Sequence, residues 1–387
     1  MTSLPRSVKS LLIFTALSLV AATGYGEPAQ PVAGNSLVYV SNAKSGTITR
    51  YLIDEEKATL IFLGRMQAGE NVMPLAISPD KQHLYAAVRP KPHQVLSYQI
   101  TYPSGELNQV GNAPLPASMA SIDTDNTGRF LLSASYGDSL LSVSEIDRDG
   151  VVTGSALQTI GTGRNAHRVQ TSPNNRFAIS TALGDDQLGI FRFDEKTGSL
   201  TPGTPATIAT PVHPGPRHFV FAPHQSLIYV LGELSGTVST YCFDENVGAM
   251  ALVKTTAGIP VAELGLRNRL ENPTQTDDIR QPIWAADIHI SPDGKYLYVS
   301  ERTRSVVTTL KVDEASGLPA FAGLTDVENQ PRGFNLSEDG RFMVVAGEKA
   351  SSIGLYLLDA DTGLAQKVDE APTDAGANWV EIITVVK

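Results

Sequence analysis

The sequence predicts an all-β fold, a seven-bladed β-propeller with about four strands in each blade. The first observation behind this prediction is a phrase that occurs six times: alternating apolar residues, a Ser-Pro-Asp or related turn, and a second apolar run. The alternation has the period of two that marks half-buried strands, and Pro, Asp, Asn and Gly favour tight turns. Each copy is anchored at the serine-like position of its turn: Ser78, Asp125, Ser172, Ala222, Ser291 and Ser337.

The second observation is the spacing of these anchors. Successive anchors lie 47, 47, 50, 69 and 46 residues apart, and the long interval contains an insertion around Lys254–Pro282. After each hairpin comes a third strand that ends in an Asp- and Gly-containing turn, as in QLGIFRFDEKTG, and then a short fourth strand. Four strands in every 46 to 50 residues are typical of a propeller blade.

The third observation concerns the two ends of the repeat region. Asn378–Val386 has the pattern of a lone inner strand, and Ser36–Asp54 has the pattern of a blade that lacks its first strand. Pairing these two segments would complete a seventh blade and remove the exposed sheet edges of a partial one. We therefore expect residues 36–387 to form a single propeller domain, preceded by a short linker at 27–35.

The N-terminal segment has the features of a secretory signal peptide. Arg6 and Lys9 precede a twelve-residue apolar run, Leu11–Ala22, and small residues follow it up to Gly26. A membrane-spanning helix needs about 20 apolar residues, so this run fits an export signal better than an anchor. We expect residues 1–26 to be removed and the mature protein to reach a bacterial periplasm; an uncleaved anchor is the alternative.

Composition excludes several classes of function. The chain of 387 residues has 30 basic and 40 acidic side chains, a formal net charge of -10, which disfavours nucleic acid and anionic membrane surfaces as partners. Cys242 is the one cysteine, so an intrachain disulfide, a CxxC redox pair and a cysteine-rich zinc site are excluded. No metal site or cofactor is expected, and we expect a monomer that acts on a small molecule.

Two registers of the repeat predict where a functional site lies. In each hairpin, the start of the first strand and the end of the second lie on the same face of the disc, opposite the anchor turn. Five residues before the anchors stand Met73, Ala120, His167, Arg217, Ala286 and Arg332, and eleven residues after them stand Arg89, Tyr136, Leu183, Glu233, Arg302 and Glu348. Because these positions should be equivalent in space, their charged members should converge at one mouth of the central channel.

Several strings carry a resemblance to a known family. GPRHFVFAPH, WAADIHISPDGKYLYVSERT, QPRGFN and AISPDKQHLYAAVRP resemble the bacterial seven-bladed-propeller lactonases, a family that contains propeller-type 6-phosphogluconolactonase and is related to carboxy-muconate cyclase. The similarity runs from about Leu37 to the C-terminus. It implies metal-free lactone chemistry, with His167, Arg217, Glu233 and Arg302 as the catalytic residues.

These residue types suit the hydrolysis of a sugar lactone to its aldonic acid. His167 is the natural general base; Glu233 could orient the imidazole, or act as the base if burial raises its pKa. Arg217 and Arg302 can hold the carbonyl oxygen or an anionic end of the substrate. Further candidates for binding the substrate are Arg332, Arg89, His218 and Asp287, although for Asp287 a structural hydrogen bond is an equal alternative. A non-catalytic propeller that binds a ligand or a protein is the alternative function, because fold does not fix function.

Overall fold

The computed structural model describes residues 1–2, 35–211, 213–269 and 280–385. These residues form seven four-stranded antiparallel sheets arranged as the blades of a β-propeller, together with one short parallel pair. The predicted fold class is therefore confirmed. Residues 3–26 of the predicted signal peptide and residues 27–34 of the predicted linker lie outside the described residues. Within those residues, no helix has the length and apolar character that a membrane span requires.

The strands of each blade follow one another in the chain, with one exception. Blade 1 combines β1 (Ser36–Asn42), β2 (Thr47–Asp54) and β3 (Thr59–Gln67) with the last strand of the chain, β30 (Ala377–Thr384). Blade 2 is β4 (Val72–Ile77), β5 (His83–Val88), β6 (Gln94–Thr101) and β7 (Glu106–Pro114); blade 3 is β8 (Ser121–Thr124), β9 (Phe130–Ser135), β10 (Leu140–Ile146) and β11 (Val152–Gly161). Blade 4 is β12 (Ala166–Thr171), β13 (Phe177–Ala182), β14 (Gln187–Asp194) and β15 (Ser199–Ala209), with a 3-10 turn at Leu183–Asp185. Blade 5 is β16 (Pro216–Phe221), β17 (Leu227–Gly232), β18 (Thr237–Asp244) and β19 (Ala249–Ala257), and the insertion then contributes the pair β20 (Leu266–Arg267) and β21 (Gln281–Pro282). Blade 6 is β22 (Ala285–Ile290), β23 (Tyr296–Glu301), β24 (Val306–Val312) and β25 (Pro319–Asp326); blade 7 is β26 (Pro331–Leu336), β27 (Phe342–Gly347), β28 (Ser352–Leu358) and β29 (Ala365–Pro372).

The recurring Ser-Pro-Asp phrase forms the turn between the first two strands of a blade. In blade 6 the Ser291 hydroxyl donates to Asp293 (2.6 Å) and accepts from the Tyr296 amide (3.0 Å), so one side chain joins both ends of the turn. In blade 3, Asp125 takes the place of the serine and accepts from the Phe130 amide at 2.9 Å. The repeat is therefore a hydrogen-bonded turn, which explains why five of the six anchors are serine or aspartate; at Ala222 only the backbone hydrogen bond to Leu227 O remains.

Neighbouring blades dock through buried tyrosines on their second strands. The Tyr229 hydroxyl of blade 5 donates to the carbonyl of Gly317 in blade 6 (2.8 Å), and the Tyr298 hydroxyl of blade 6 donates to Gly363 in blade 7 (3.0 Å). Both glycines have positive φ, at 68° and 70°, which a side chain would disfavour. The Asp- and Gly-containing turns of the sequence are thus the acceptors that join one blade to the next.

The ring closes as the sequence predicts. Strand β30 pairs antiparallel with β1, from Ser36 opposite Thr384 to Ser41 opposite Trp379. The completed blade 1 then buries Val380 and Ile382 in a core shared with blade 7. The last strand is therefore the inner strand of the first blade.

A β-bulge near the start of the inner strand is the feature that shapes the site. It occurs in blades 1, 2, 4, 5, 6 and 7; in blade 5, Pro216 pairs with Gly232 but Phe219 pairs with Val230, so Arg217 and His218 share one partner position. A bulge inserts one extra residue and redirects side chains. As a result, two consecutive residues can place their side chains towards the channel, whereas in a regular strand only every second residue does so.

Candidate active site

Glu233 is the centre of a charged cluster at one mouth of the channel. It follows β17, and its Oε2 lies 2.8 Å from Nε of Arg217 and 3.1 Å from Nη2 of Arg302. Both arginines are almost sealed from solvent, at 1% and 3% exposure. Three side chains that the sequence predicts, two from blade 5 and one from blade 6, therefore meet at one point. Ion pairs in such a buried setting hold a defined geometry only when their other hydrogen-bonding groups are also satisfied.

Trp284 provides some of the hydrogen bonds that these buried charged groups need. Its indole Nε1 donates to Glu233 Oε1 at 3.1 Å, and the Arg302 guanidinium lies 3.8 Å from the centre of its ring. Carbonyl oxygens of Trp284 and Ala285 accept from Arg302, and that of Ala286 accepts from Arg217. The segment 284–286 therefore fixes the guanidinium groups of both arginines. Sequence reasoning missed Trp284, although it opens the WAADIH string that carries the family resemblance.

The electrostatics of Glu233 favour a permanent carboxylate. Burial by itself would raise its pKa, but the guanidinium groups of Arg302 and Arg217 outweigh burial and lower the pKa below its ordinary value. In the described residues no hydrogen bond joins Glu233 to His167. The geometry thus differs from the expectation that Glu233 orients the imidazole, and the condition under which it would be the base, a raised pKa, is not met. Glu233 holds the two arginines instead.

His167 lies in the bulge of β12 and is 4% exposed. Its ring packs edge-to-face against His218, with centroids 5.0 Å apart, and against Tyr136 at 6.0 Å. Burial, followed by the positive charge of Arg217, holds the pKa of His167 well below its ordinary value. The imidazole is therefore neutral near pH 7, and its buried Nδ1 has no hydrogen-bond partner among the described residues. We name Glu233, Arg217, Arg302, Trp284 and His167 the mouth cluster.

His218 and Asp287 form a second layer behind His167. His218 Nδ1 lies 2.6 Å from Asp287 Oδ1, and the other carboxylate oxygen lies 3.3 Å from His289 Nε2. Burial and Arg217 lower the pKa of His218 to about 3, while the two histidines overcome the effect of burial and hold the pKa of Asp287 well below its ordinary value. With His218 only 3% exposed, this pair is placed to support His167.

Arg89 and Arg332 lie at the outer side of the same mouth. Arg332 Nε is 3.9 Å from Glu348 Oε1, whereas Arg89 donates to the Ser118 hydroxyl at 2.8 Å and, among the described residues, has no carboxylate within 4.0 Å. Burial and repulsion from Arg332 lower the pKa of Arg89, which shows that the two guanidinium groups act on each other. Together with Arg217 and Arg302, these residues place four guanidinium groups at this mouth, against the two carboxylates of Glu233 and Glu348. The net positive charge favours the binding of an anion.

Beyond the mouth, the channel contains a cavity of about 220 Å³ that is lined by Asp287 and by Trp379, whose ring lies 5.8 Å from that of His218. Sequence reasoning missed its polar lining, although the signal was available: the position two residues before each anchor is polar in most blades. The polar residues at this position that line the cavity are Asp123, Gln170, His289 and Asn335; together with Glu381 of β30 we name them the channel ring. In the described parts of the chain, no group of three or more His, Cys, Asp or Glu side chains is placed to hold a metal ion.

Comparison with known proteins supports the family that the sequence motifs indicate. Residues 37–382 match the model of the family described as lactonase, seven-bladed beta-propeller. The chain belongs to this family. It is 37% identical over 347 residues to the 6-phosphogluconolactonase of Serratia proteamaculans, covering 90% of this chain and 98% of the relative. It is 35% identical to that of Cronobacter sakazakii, covering 89% and 97%.

Among solved structures, the chain is similar to the periplasmic gluconolactonase of Pseudomonas aeruginosa. The TM-score is 0.78 with 22% identity, and the match covers 91% of this chain and 100% of that structure. At this identity the likeness shows the shared fold. Membership of the lactonase family makes the protein a carboxylic-ester hydrolase.

Proposed function

We propose that the protein hydrolyses a sugar lactone to its aldonic acid at the mouth cluster. The observation that carries the proposal is the Arg217–Glu233–Arg302 group, in which one carboxylate holds two buried guanidinium groups at 2.8 and 3.1 Å beside the neutral imidazole of His167. Hydrolysis of a lactone needs a base for water and positive charge where the oxyanion forms. The cluster offers both in one place.

The reaction sequence follows from these roles. A water molecule attacks the lactone carbonyl while His167 takes one of its protons, and Arg217 or Arg302 stabilises the oxygen that becomes negative. The ring C–O bond then breaks, and the imidazolium returns the proton to the leaving alkoxide. Because the pKa of His167 is held low, the imidazolium is a strong acid for this second step, and the neutral imidazole is correspondingly a weaker base in the first. No covalent intermediate is required, and Glu233 keeps the two guanidinium groups in place.

For the substrate we propose glucono-δ-lactone ahead of its 6-phosphate. The N-terminal signal pattern supports export, away from cytosolic sugar phosphates, and the similar fold of a periplasmic gluconolactonase is consistent with that. The curated relatives carry the 6-phosphogluconolactonase name, and the surplus of arginines at the mouth suits a phosphate. Rates with the two lactones, measured at one pH with the spontaneous rate subtracted, decide between them.

The central test compares wild type with His167→Ala. We expect kcat to fall by about 10²–10⁴-fold, the usual contribution of proton transfer. His224→Ala is the matched control, because His224 follows the anchor Ala222 on the opposite face. Undiminished hydrolysis by folded His167→Ala would remove the assignment, and wild type that binds a lactone without accelerating its hydrolysis would favour a non-catalytic propeller.

Three features of the mature protein belong to the same proposal. We propose that cleavage near Gly26 releases it into the periplasm, that residues 36–387 are one domain, and that it acts as a monomer. N-terminal sequencing of protein from the periplasmic fraction tests the cleavage, and an intact Met1 in the cytosol would contradict it. Limited proteolysis and light scattering coupled to size exclusion test the domain and the monomer.

A further inference from the structure

Glu301 is a buried carboxylate next to the mouth cluster that the proposed mechanism does not use. It is the last residue of β23 and has 0% exposure. The last residues of the second strand in the other blades are Asn42, Val88, Ser135, Ala182, Gly232 and Gly347. Blade 6 is thus the one described blade with a charged side chain at this position, and a structural demand of the repeat does not explain it.

The partners of Glu301 are backbone amides from two separate segments. Its Oε1 accepts from the amide of Trp284 at 2.9 Å and from that of Thr303 at 3.0 Å, and its Oε2 accepts from Arg304 at 2.6 Å. Among the described residues no basic side chain pairs with it within 4.0 Å. The carboxylate therefore bridges the start of the inner strand and the turn that follows β23.

These two segments contain the groups that hold the guanidinium group of Arg302 in place. Arg302 lies between Glu301 and Thr303, its backbone amide donates to Trp284 O at 3.0 Å, and its Nε donates to the same oxygen at 3.3 Å. Trp284 in turn donates to Glu233. A displacement of either segment would shift Arg302 relative to the carbonyl that it is proposed to stabilise.

We propose that Glu301 is a positioning residue that fixes Trp284 and Arg302 for catalysis. The proposal rests on the function proposed above, and it adds a residue that touches neither substrate nor reacting atoms. A misplacement of about 1 Å in a catalytic group can cost about 10²-fold in rate. Glu301→Ala removes all three acceptor contacts, whereas Glu301→Gln keeps one oxygen but turns an amino group toward a backbone N–H.

The test combines kinetics with a spectroscopic readout. We expect kcat on glucono-δ-lactone to fall about 10- to 100-fold in Glu301→Ala and less in Glu301→Gln, with a smaller change in KM. Glu328→Gln is the matched control, because Glu328 is also buried, at 6% exposure, but contacts Tyr356 and Lys367 of blade 7. Acrylamide quenching of Trp284, measured in a Trp379→Phe background that leaves it as the one tryptophan, should increase in both Glu301 variants and remain unchanged in Glu328→Gln.

The two readouts separate failure of this proposal from failure of the proposed function. If wild type is inactive on lactones but quenching of Trp284 rises in the Glu301 variants, positioning stands and the reaction is wrong. If kcat falls only in proportion to the unfolded fraction from thermal melts, and quenching does not change, Glu301 has a purely structural role and the proposal is overturned. Should Glu301→Ala not fold, Glu301→Gln decides by the same criteria.

Discussion

Glu381 gives the sharpest prediction about stability. It lies on β30, lines the channel cavity, and accepts from the Trp379 indole at 2.8 Å and from Asn335 at 3.5 Å. Burial, with a smaller contribution from the negative charge of Asp123, raises its pKa from the ordinary 4.5 to about 8, against the opposing effects of the Trp379 hydrogen bond and the positive charge of Arg168. Near pH 7 the folded protein therefore holds a neutral carboxyl here, while the unfolded chain holds a carboxylate.

The sign of the pH dependence follows from proton binding. Between pH 4.5 and about 8 the native state binds the proton that the unfolded state has released, so the contribution of Glu381 to stability falls as the pH rises. The slope approaches about 1.4 kcal/mol per pH unit, and across the whole interval the loss reaches on the order of 5 kcal/mol as an upper limit. Glu381→Gln imitates the neutral carboxyl and removes the titration.

The experiment is urea unfolding, followed by tryptophan fluorescence, at pH 5, 6, 7 and 8. We expect the free energy of unfolding of Glu381→Gln minus that of wild type to increase by several kcal/mol from the lowest to the highest pH, because wild type loses stability as the pH rises and the variant does not. Glu70→Gln, the same change at an exposed glutamate, is the matched control. Parallel curves for wild type and Glu381→Gln would show that Glu381 titrates normally and refute the reasoning.

Three further predictions concern the mouth cluster and the closure of the ring. Arg217→Lys and Arg302→Lys should each lower kcat about 10²–10³-fold in steady-state assays, because an ammonium group cannot reproduce a planar fork that bonds both Glu233 and backbone carbonyls; activity within twofold of wild type would contradict this. The pH profile of kcat should show no loss of activity from protonation of His167 near its ordinary pKa, because that pKa is held well below 6.5; an inflection near 6.5 that vanishes in His167→Ala would count against it. Deleting Trp379–Lys387 should greatly reduce soluble folded protein, since it removes most of the inner strand of blade 1; an unchanged melting temperature would disprove the closure argument.

The positions of the main site residues could be predicted because the repeat converts sequence distance into spatial equivalence. Arg217 and Glu233 come from one hairpin, and Arg302 stands in the next blade at the register of Glu233. Their distances from the anchors place all three at one mouth, where Glu233 lies 2.8 and 3.1 Å from the two guanidinium groups. The register two residues before the anchors likewise places Asp123, Gln170, His289 and Asn335 along the channel, whereas Glu381 lies on β30, which precedes no anchor turn.

The roles of these residues could not be predicted by counting. Whether Glu233 contacts His167 or the two arginines depends on side-chain rotamers across two blades. The direction of its pKa shift depends on whether burial or the guanidinium charges prevail. Trp284 stands outside the registers at the strand ends, and the repeat marks Glu301 only as a charged residue at an otherwise uncharged position, which does not reveal the hydrogen bonds that it accepts.

The bulges in the inner strands explain how one ring can support two layers of polar side chains. In an unbroken strand, His218 would point to the opposite face from Arg217; with the extra residue, Arg217 reaches Glu233 while His218 reaches Asp287. The Ser-Pro-Asp turns and the tyrosine–glycine contacts between blades meanwhile hold the ring together away from this region. The mouth can therefore carry buried charges whose cost the rest of the ring offsets.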